Sequence, residues 1–169
     1  MPQYIEKIRV PVRIAQPGQS PVEGFLSLAS QDEFHSGPET ILDLVNLSLR
    51  VFPFIREEDG AVLLVTRVNV DWVQPGPGVQ REMVCPPNYL VTREERVQVL
   101  FRDGRLVDGL IQMELPEDLN RASDFLNGVE DFFVLVTDLG PLVVNKNHVL
   151  ETRVFESSPM PLDSRAALG

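Results

Sequence analysis

An internal repeat is the feature that most constrains the fold of this 169-residue chain. Three blocks recur in the same order in both halves: Val22–Leu26 (VEGFL) with Val107–Ile111 (VDGLI), Asp43–Asn46 (DLVN) with Asp124–Asn127 (DFLN), and Val65–Arg67 (VTR) with Val144–Lys146 (VNK). The separation between the copies falls from 85 to 81 to 79 residues along the chain. A repeat of this period indicates two copies of one unit of roughly 80 residues.

The decreasing separation places extra residues of the first copy at Ala29–Thr40 and at Arg56–Gly60. Both stretches are polar or contain glycine, as expected of loops, where added length costs little. Between the copies, Gln74–Gly78 (QPGPG) and Cys85–Asn88 (CPPN) contain too much Pro and Gly to continue a sheet. We therefore predict four segments: a first β-rich repeat over 1–73, a linker over 74–94, a second β-rich repeat over 95–156 and a flexible tail over 157–169.

Two strands are predicted at the start of each repeat. Apolar and polar residues alternate at Ile8–Ile14 and at Val97–Phe101, and this period of two is typical of a half-buried strand. The apolar residues around Gly24 and Gly109 predict a second strand, with each glycine at a bulge or at a sharp bend around a barrel corner. Arg102–Arg105 (RDGR) carries the Asp-Gly signal of the hairpin turn between them.

A short helix and further strands complete each repeat. In the first copy, apolar residues recur at helical spacing after the candidate N-cap Thr40, at Ile41, Leu42, Val45 and Leu49. In the second copy they follow the candidate N-cap Asn120, at Phe125, Leu126, Val129 and Phe133. Segments rich in Val and Phe predict the remaining strands, at Val51–Ile55, Val62–Val73, Phe132–Thr137 and Leu142–Val154. The predicted order is ββαβββ. We expect a mainly β protein, a tandem duplication of a small five-stranded, partly open barrel of the Sm-like or SH3-like kind, because closure removes exposed edges.

The second copy resembles a known domain. Its segment Arg121–Asn127 (RASDFLN), followed by Val144–Lys146 (VNK), is similar to a small bacterial domain of an uncharacterised family. The resemblance covers about half the chain, and the first copy departs from it, with Glu39-Thr40 where Ala122-Ser123 stand. The resemblance implies a bacterial origin and no mechanism, since the family has no assigned chemistry.

Composition disfavours several classes of partner. The net charge of −10 and the pI near 4.6 leave no basic surface for a run of phosphates, so we expect neither nucleic acid nor an anionic membrane as partner. No apolar run reaches the ~18 residues of a membrane span, and Met1–Arg13 carries charges where a signal peptide is apolar. We therefore predict a cytoplasmic protein. The single cysteine, Cys85, excludes an internal disulfide and fits a reducing compartment.

Two polar pairs are kept in both copies, Asp43 with Asn46 and Asp124 with Asn127. A gap of three residues on a helix puts each pair on one face, where a carboxylate and an amide can together bind a ligand or the backbone of a partner. The alternative is structural: Asp closes a cap at the helix start, and Asn ends the helix through a left-handed residue. Cap chemistry explains these residue types without any ligand.

Three other residues are candidates for an interaction surface. Arg67 and Lys146 are equivalent by position, each near the start of a final strand, and we interpret them as edge residues that discourage pairing between sheets. Trp72, the only tryptophan, belongs either to the core or to the centre of an interface, where Trp is enriched. Its exposure decides between the two.

Nothing in the sequence pairs a nucleophile with a base. His35 lies among acidic residues in the inserted loop, but a loop of this composition is usually solvated, and a metal or nucleophile needs supporting residues. His148 stands where the first copy has Asn69, as expected of a polar strand residue. Gly76–Gly78 lacks the Lys and the following helix of a phosphate loop. We predict no enzyme activity, no catalytic residue, no cofactor and no metal site.

The favoured function is that of a non-enzymatic interaction protein or regulatory scaffold. Two fused, pseudo-symmetric barrels make permanent the isologous pairing that single-copy units achieve as homodimers. We expect the partner to be another protein with a basic surface, with homo-oligomerisation left open, because the acidic chain attracts positive charge. The alternative is a small-molecule sensor with its ligand in the groove between the repeats.

Overall fold

The computed structural model describes residues 6–32, 37–86, 93–113 and 121–155. The chain divides into two compact units, Met1–Asn88 and Tyr89–Gly169, and this boundary lies within the predicted linker. The predicted tail, the inserted-loop residue His35 and the candidate N-cap Asn120 lie outside the described residues.

Within its described residues, unit 1 is an antiparallel sheet with one short helix. Its elements are β1 (Lys7–Ala15), β2 (Val22–Ala29), α1 (Ile41–Asn46), β3 (Val51–Arg56), β4 (Val62–Thr66) and β5 (Trp72–Pro75). The strand order is β5-β1-β2-β3-β4, and a 3₁₀ turn at Arg67–Asn69 joins β4 to β5. The first residues of the predicted linker belong to β5, and farther along this segment Val84 and Cys85 are buried in the unit.

Unit 2 repeats this arrangement. Its described elements are β6 (Arg93–Phe101), β7 (Leu106–Met113), α2 (Ala122–Leu126), β8 (Phe132–Thr137), β9 (Gly140–Asn145) and β10 (Val149–Val154). The strand order is β10-β6-β7-β8-β9, so the last strand again lies beside the first. A 3₁₀ turn at Lys146–His148 joins β9 to β10 and divides the segment Leu142–Val154, which was predicted as strand.

The registers of the two units correspond residue by residue. Matched pairs, each given for unit 1 and then for unit 2, are Val12–Gly24 and Val97–Gly109, Leu26–Phe54 and Ile111–Leu135, Phe52–Val65 and Phe133–Val144, and Ile14–Val73 and Val99–Thr152. The residues of these pairs are 85 apart in the first two strands, 81 in the third and 79 in the last two. The separations of the sequence blocks are therefore also those of the hydrogen-bonded ladders.

Gly24 and Gly109 occupy one structural position, where the second strand meets the third. A Cβ atom on Gly24 would lie 2.2 Å from the Ile55 carbonyl oxygen and 2.4 Å from the Phe54 ring. A Cβ atom on Gly109 would lie 2.7 Å from the Leu135 side chain and 2.9 Å from the Val136 carbonyl oxygen. Each glycine is needed because the neighbouring strand approaches too closely for any side chain.

Period-two alternation builds each core from the strands. Val10, Val12 and Ile14 of β1 are buried, and in unit 2 Val97, Val99 and Phe101 of β6 are buried in the same way. Phe52 and Phe54 of β3 cover the core of unit 1 and are almost inaccessible to solvent. The predicted mainly β fold with one short helix per unit is confirmed, but within the described residues neither strand order closes into a barrel.

The helices are shorter than predicted. Thr40 is the N-cap of α1, as predicted, but the chain turns extended at Leu47, so Leu49 lies outside the helix and is exposed. In unit 2 the N-cap is Arg121, Val129 is fully exposed and Phe133 belongs to β8. The two helices have six and five residues. In the described ranges, no helix is long and apolar enough to cross a membrane.

Candidate interaction surface

Arg67 and Lys146 each begin the 3₁₀ turn of their unit and reach back to its α-helix. Arg67 donates from Nε to the Leu49 carbonyl oxygen at 3.0 Å and from Nη1 to the Val45 carbonyl oxygen at 3.3 Å. Lys146 Nζ donates to the carbonyl oxygens of Gly128, at 3.3 Å, and Phe125, at 3.5 Å. A helix ends with carbonyls that lack intrahelical donors, and a cation satisfies them.

This geometry gives the two cations contacts within their own unit, in addition to the role of edge residues predicted from the sequence. Their charged ends are directed at main-chain oxygens of their own unit, and burial lowers the pKa of Lys146, whose ammonium group also lies 5.8 Å from the centre of the Phe125 ring. Such contacts stabilise each short helix and the turn that follows.

Asp43 forms a capping box at the start of α1. Its Oδ2 accepts from the Thr40 backbone N–H and hydroxyl, both at 2.9 Å, and its own N–H donates to Thr40 Oγ1 at 3.2 Å. This is the structural alternative considered for the pair, and Asn46 is the last residue of the same helix.

The second polar pair is arranged differently. Asp124 lies in the first turn of α2, but the N-cap Arg121 makes no side-chain cap, and the Ala122 N–H instead donates to Oε2 of the buried Glu95 at 3.4 Å. Asn127 is the C-cap, with φ −82° and ψ −1°, so the predicted left-handed ending is wrong. The ending is right-handed because the Asn127 and Gly128 N–H groups bond back into the helix.

The candidate residues thus fall into one cluster around each helix rather than a single site. Asp43 and Arg67 hold the two ends of α1, and Asp124, Asn127 and Lys146 lie at α2. Trp72 stands apart on β5, opposite Ala15 of β1, and is half-buried.

The described ranges hold one cysteine and one histidine, one in each unit. Cys85 is buried, and burial raises the pKa of its thiol. His148 is buried in the 3₁₀ turn of unit 2. No group of three or more His, Cys, Asp or Glu side chains in the part of the chain that the structure describes is arranged to hold a metal ion.

The strand edge at β4 is the surface that the sequence did not predict. β4 ends the strand order of unit 1, and among the described residues no strand pairs with its outer side. Arg56 N–H donates to the Ala61 carbonyl, and Arg67 N–H donates to the Arg50 carbonyl. Hydrogen-bonded pairs alternate along an antiparallel ladder, so Leu63 and Val65 are the residues of β4 that bond to β3. The backbone groups of Val62, Leu64 and Thr66 therefore point away from β3, towards that edge.

One face of the β3–β4 hairpin is apolar and exposed. Val62 and Leu64 are 65% and 68% exposed, and Val51, on the same face, is 37% exposed. Val62–Thr66 contains neither a charge nor a proline, the residues that usually protect a strand edge. In contrast, β10, at one end of the order in unit 2, carries Glu151 and Arg153.

The two ends of the hairpin carry opposite charge. The turn between β3 and β4 presents Glu57, Glu58 and Asp59, and Arg56 donates to Asp59 Oδ2 at 2.6 Å and Oδ1 at 2.9 Å. The Arg56 hydrogen bond and the Ala61 N–H lower the pKa of Asp59 to about 2, so the Asp59 carboxylate stays ionised above that pH. At the other end, Arg50 and Arg67 face each other across the two strands.

The sequence of β4 by itself indicates a buried strand rather than an edge. Val62-Leu63-Leu64-Val65 is a continuous apolar run, which is typical of a strand buried on both faces. Only Leu63 and Val65 turn towards the interior, and their neighbours turn towards solvent.

Comparisons with known proteins give no match: no protein-family model, no curated protein and no solved structure is similar to this chain.

Proposed function

We propose that this protein is a non-enzymatic interaction module that binds another protein chain along the edge of β4. The single observation that carries the proposal is the combination, on one strand, of outward-directed backbone groups and two large apolar side chains left in solvent. Strand addition uses both features, since main-chain hydrogen bonds provide affinity and alternate side chains provide specificity.

The repeated architecture is part of the proposal. We take the two units as a tandem duplication of one partly open, Sm-like or SH3-like barrel, a scaffold whose halves differ in what they expose. The matching registers and the two equivalent glycines support this history. The proposal includes the bacterial origin and cytoplasmic location expected from the sequence.

The acidic turn gives the proposed partner a chemical character. Glu57, Glu58 and Asp59 stand at one end of the edge, so a chain that pairs with β4 gains from basic residues beside the turn. Added salt then weakens binding and slows association.

A site-specific photocross-linker at position 64 tests the proposal. Replacing Leu64 with benzoylphenylalanine in cells that express the protein should give a discrete cross-linked product, whereas the same replacement at Leu139, 78% exposed in the β8–β9 turn, should not. Changing Glu57, Glu58 and Asp59 to Lys should reduce the yield. Equal products at both positions, or none at position 64, would contradict the proposal.

A thermal-shift screen tests the alternative of a small-molecule sensor. Nucleotides, metal ions and metabolites should leave the melting temperature unchanged if the protein acts through β4, because none of them bridges a strand edge. A reproducible increase, of the size that mass action gives for a bound ligand, would favour the sensor instead.

A further inference from the structure

The hairpin β3–β4 is self-complementary in register, in apolar surface and in charge. From these features we propose that β4 pairs with β4 of a second copy of this chain, antiparallel, about a two-fold axis at Leu64. The inference rests on the proposed function, because it names the partner of the same strand edge.

The register follows from the length of the strand. β4 runs from Val62 to Thr66, with Leu64 at its centre, and the backbone groups of all three residues point outward. A two-fold axis at Leu64 sets Leu64 opposite its own copy and Val62 opposite Thr66 of the second copy, which allows about six main-chain hydrogen bonds. An axis at Leu63 keeps the faces matched but pairs Thr66 with Gly60, outside the strand.

The apolar face becomes continuous in this pairing. Directly opposed residues of antiparallel strands share a face, so the two Leu64 side chains meet on the exposed side of the hairpin. Val51, opposite Thr66 on β3, flanks the contact in each copy. The pairing covers the flanks of the side chains that unit 1 leaves 65% and 68% exposed.

Charge selects the antiparallel orientation. The acidic turn, Glu57–Asp59, lies at one end of β4, and Arg67 with Arg50 lies at the other. Antiparallel pairing sets Arg67 of each copy opposite Ala61 of the other, next to its acidic turn, with Arg50 one strand farther out. Parallel pairing would bring the two acidic turns together and would be repelled.

The symmetry also explains how an unprotected edge can be tolerated. An apolar edge without charge or proline is a template for open-ended strand addition. An isologous pair consumes the edge of both copies at once, so assembly stops at two. In unit 2 the charges on β10 achieve the same protection without a partner.

Cysteine cross-linking tests the register. Opposed residues of a hydrogen-bonded antiparallel pair have Cα atoms ~5.5 Å apart, within disulfide reach. Leu64→Cys should therefore form a covalent dimer on mild oxidation. Val62→Cys alone should not, because its copy lies roughly 13 Å away along the strand, whereas a mixture of Val62→Cys and Thr66→Cys should. Wild type is the control, since its Cys85 is buried.

Sedimentation measures the association itself. At about 100 µM, where a pair with micromolar Kd is associated, the wild type and the control Leu139→Lys should be dimeric. Leu64→Lys places two like charges at the axis and should weaken dimerisation roughly tenfold or more, with an unchanged circular dichroism spectrum.

Two outcomes would overturn the inference: a monomeric wild type, or a dimer that Leu64→Lys leaves intact. If the wild type is monomeric but position 64 still cross-links to a different protein in cells, the inference fails and the proposed function stands. If position 64 gives no product in cells, the proposed function fails, whatever the purified protein does.

Discussion

Arg67 and Lys146, 79 residues apart, hold the same position relative to their helices: each opens a 3₁₀ turn and donates to carbonyls where the helix ends. The two units share a cation at this position, although unit 1 has a guanidinium and unit 2 an ammonium group. The relationship links the α-helix of each unit to the connection between its fourth and fifth strands.

Removing either cation should destabilise its own unit. Arg67→Ala leaves the carbonyls of Val45 and Leu49 without this donor, and we expect a loss of about 1–3 kcal/mol in the free energy of unfolding. Lys146→Ala should cost a similar amount. Arg67→Lys should recover part of the loss, and urea unfolding measures all three. The exposed Arg9→Ala is the control, and a loss no larger than its own would contradict the assigned role.

Close approach, rather than backbone conformation, should make Gly24 irreplaceable. Gly24→Ala puts a methyl group against the Ile55 carbonyl, which cannot move without disturbing the β2–β3 ladder, and we expect a loss of roughly 3 kcal/mol or more. Gly18 provides the contrast, because it has φ +73° and open space around it. Gly18→Ala should cost about 1–2 kcal/mol, with partial recovery in Gly18→Asn. Thermal unfolding of Gly24→Asn and Gly18→Asn checks this. If Gly24→Asn were as stable as Gly18→Asn, the steric explanation would be wrong.

Much of the mainly β fold could be predicted from the sequence, because matching sequence blocks in the two halves constrain each other. The Val-acid-Gly blocks fixed the second strand of each unit, and the shift in separation located the loops that differ in length. Helix lengths could not be predicted in the same way, because Leu49 and Val129 continue the helical spacing by chance while the backbone has already turned.

The candidate site was harder to predict, for two physical reasons. Arg67 and Lys146 occur near strands in sequence, but their long side chains reach carbonyls 18 to 22 residues away, a contact that no local pattern encodes. The position of β4 at the edge could not be predicted for another reason. It depends on the order of strands in the sheet, and a run such as Val62–Val65 is equally suited to the middle of a sheet.

The capping box predicts an asymmetry between the two helices. Asp43→Ala removes the acceptor of two bonds from Thr40 and should cost about 1 kcal/mol, within the usual range for a cap. Asp124→Ala should cost less than half of that, since the N-cap of α2 makes no side-chain bond and Glu95 accepts from the helix instead. Chemical unfolding of both variants checks this. Equal losses would mean that Asp124 has a cap of its own, and loss of partner binding in Asp43→Ala without any loss of stability would assign it to the interface.

Cys85 should make unit 1 less stable in alkali. Burial holds the pKa of its thiol in the folded protein above the value of about 8.5 for an unfolded chain. A raised pKa contributes stability that is complete below the unfolded value and is lost as pH rises towards the folded value, because only the unfolded chain then releases its proton. The free energy of unfolding should therefore fall above about pH 8.5 in wild type and more weakly in Cys85→Ala.

The same burial should slow the reaction of the thiol with a disulfide reagent at pH 8 by roughly tenfold or more relative to protein in urea. Rapid labelling of the folded chain, or identical pH profiles for wild type and Cys85→Ala, would show that the thiol is open to solvent.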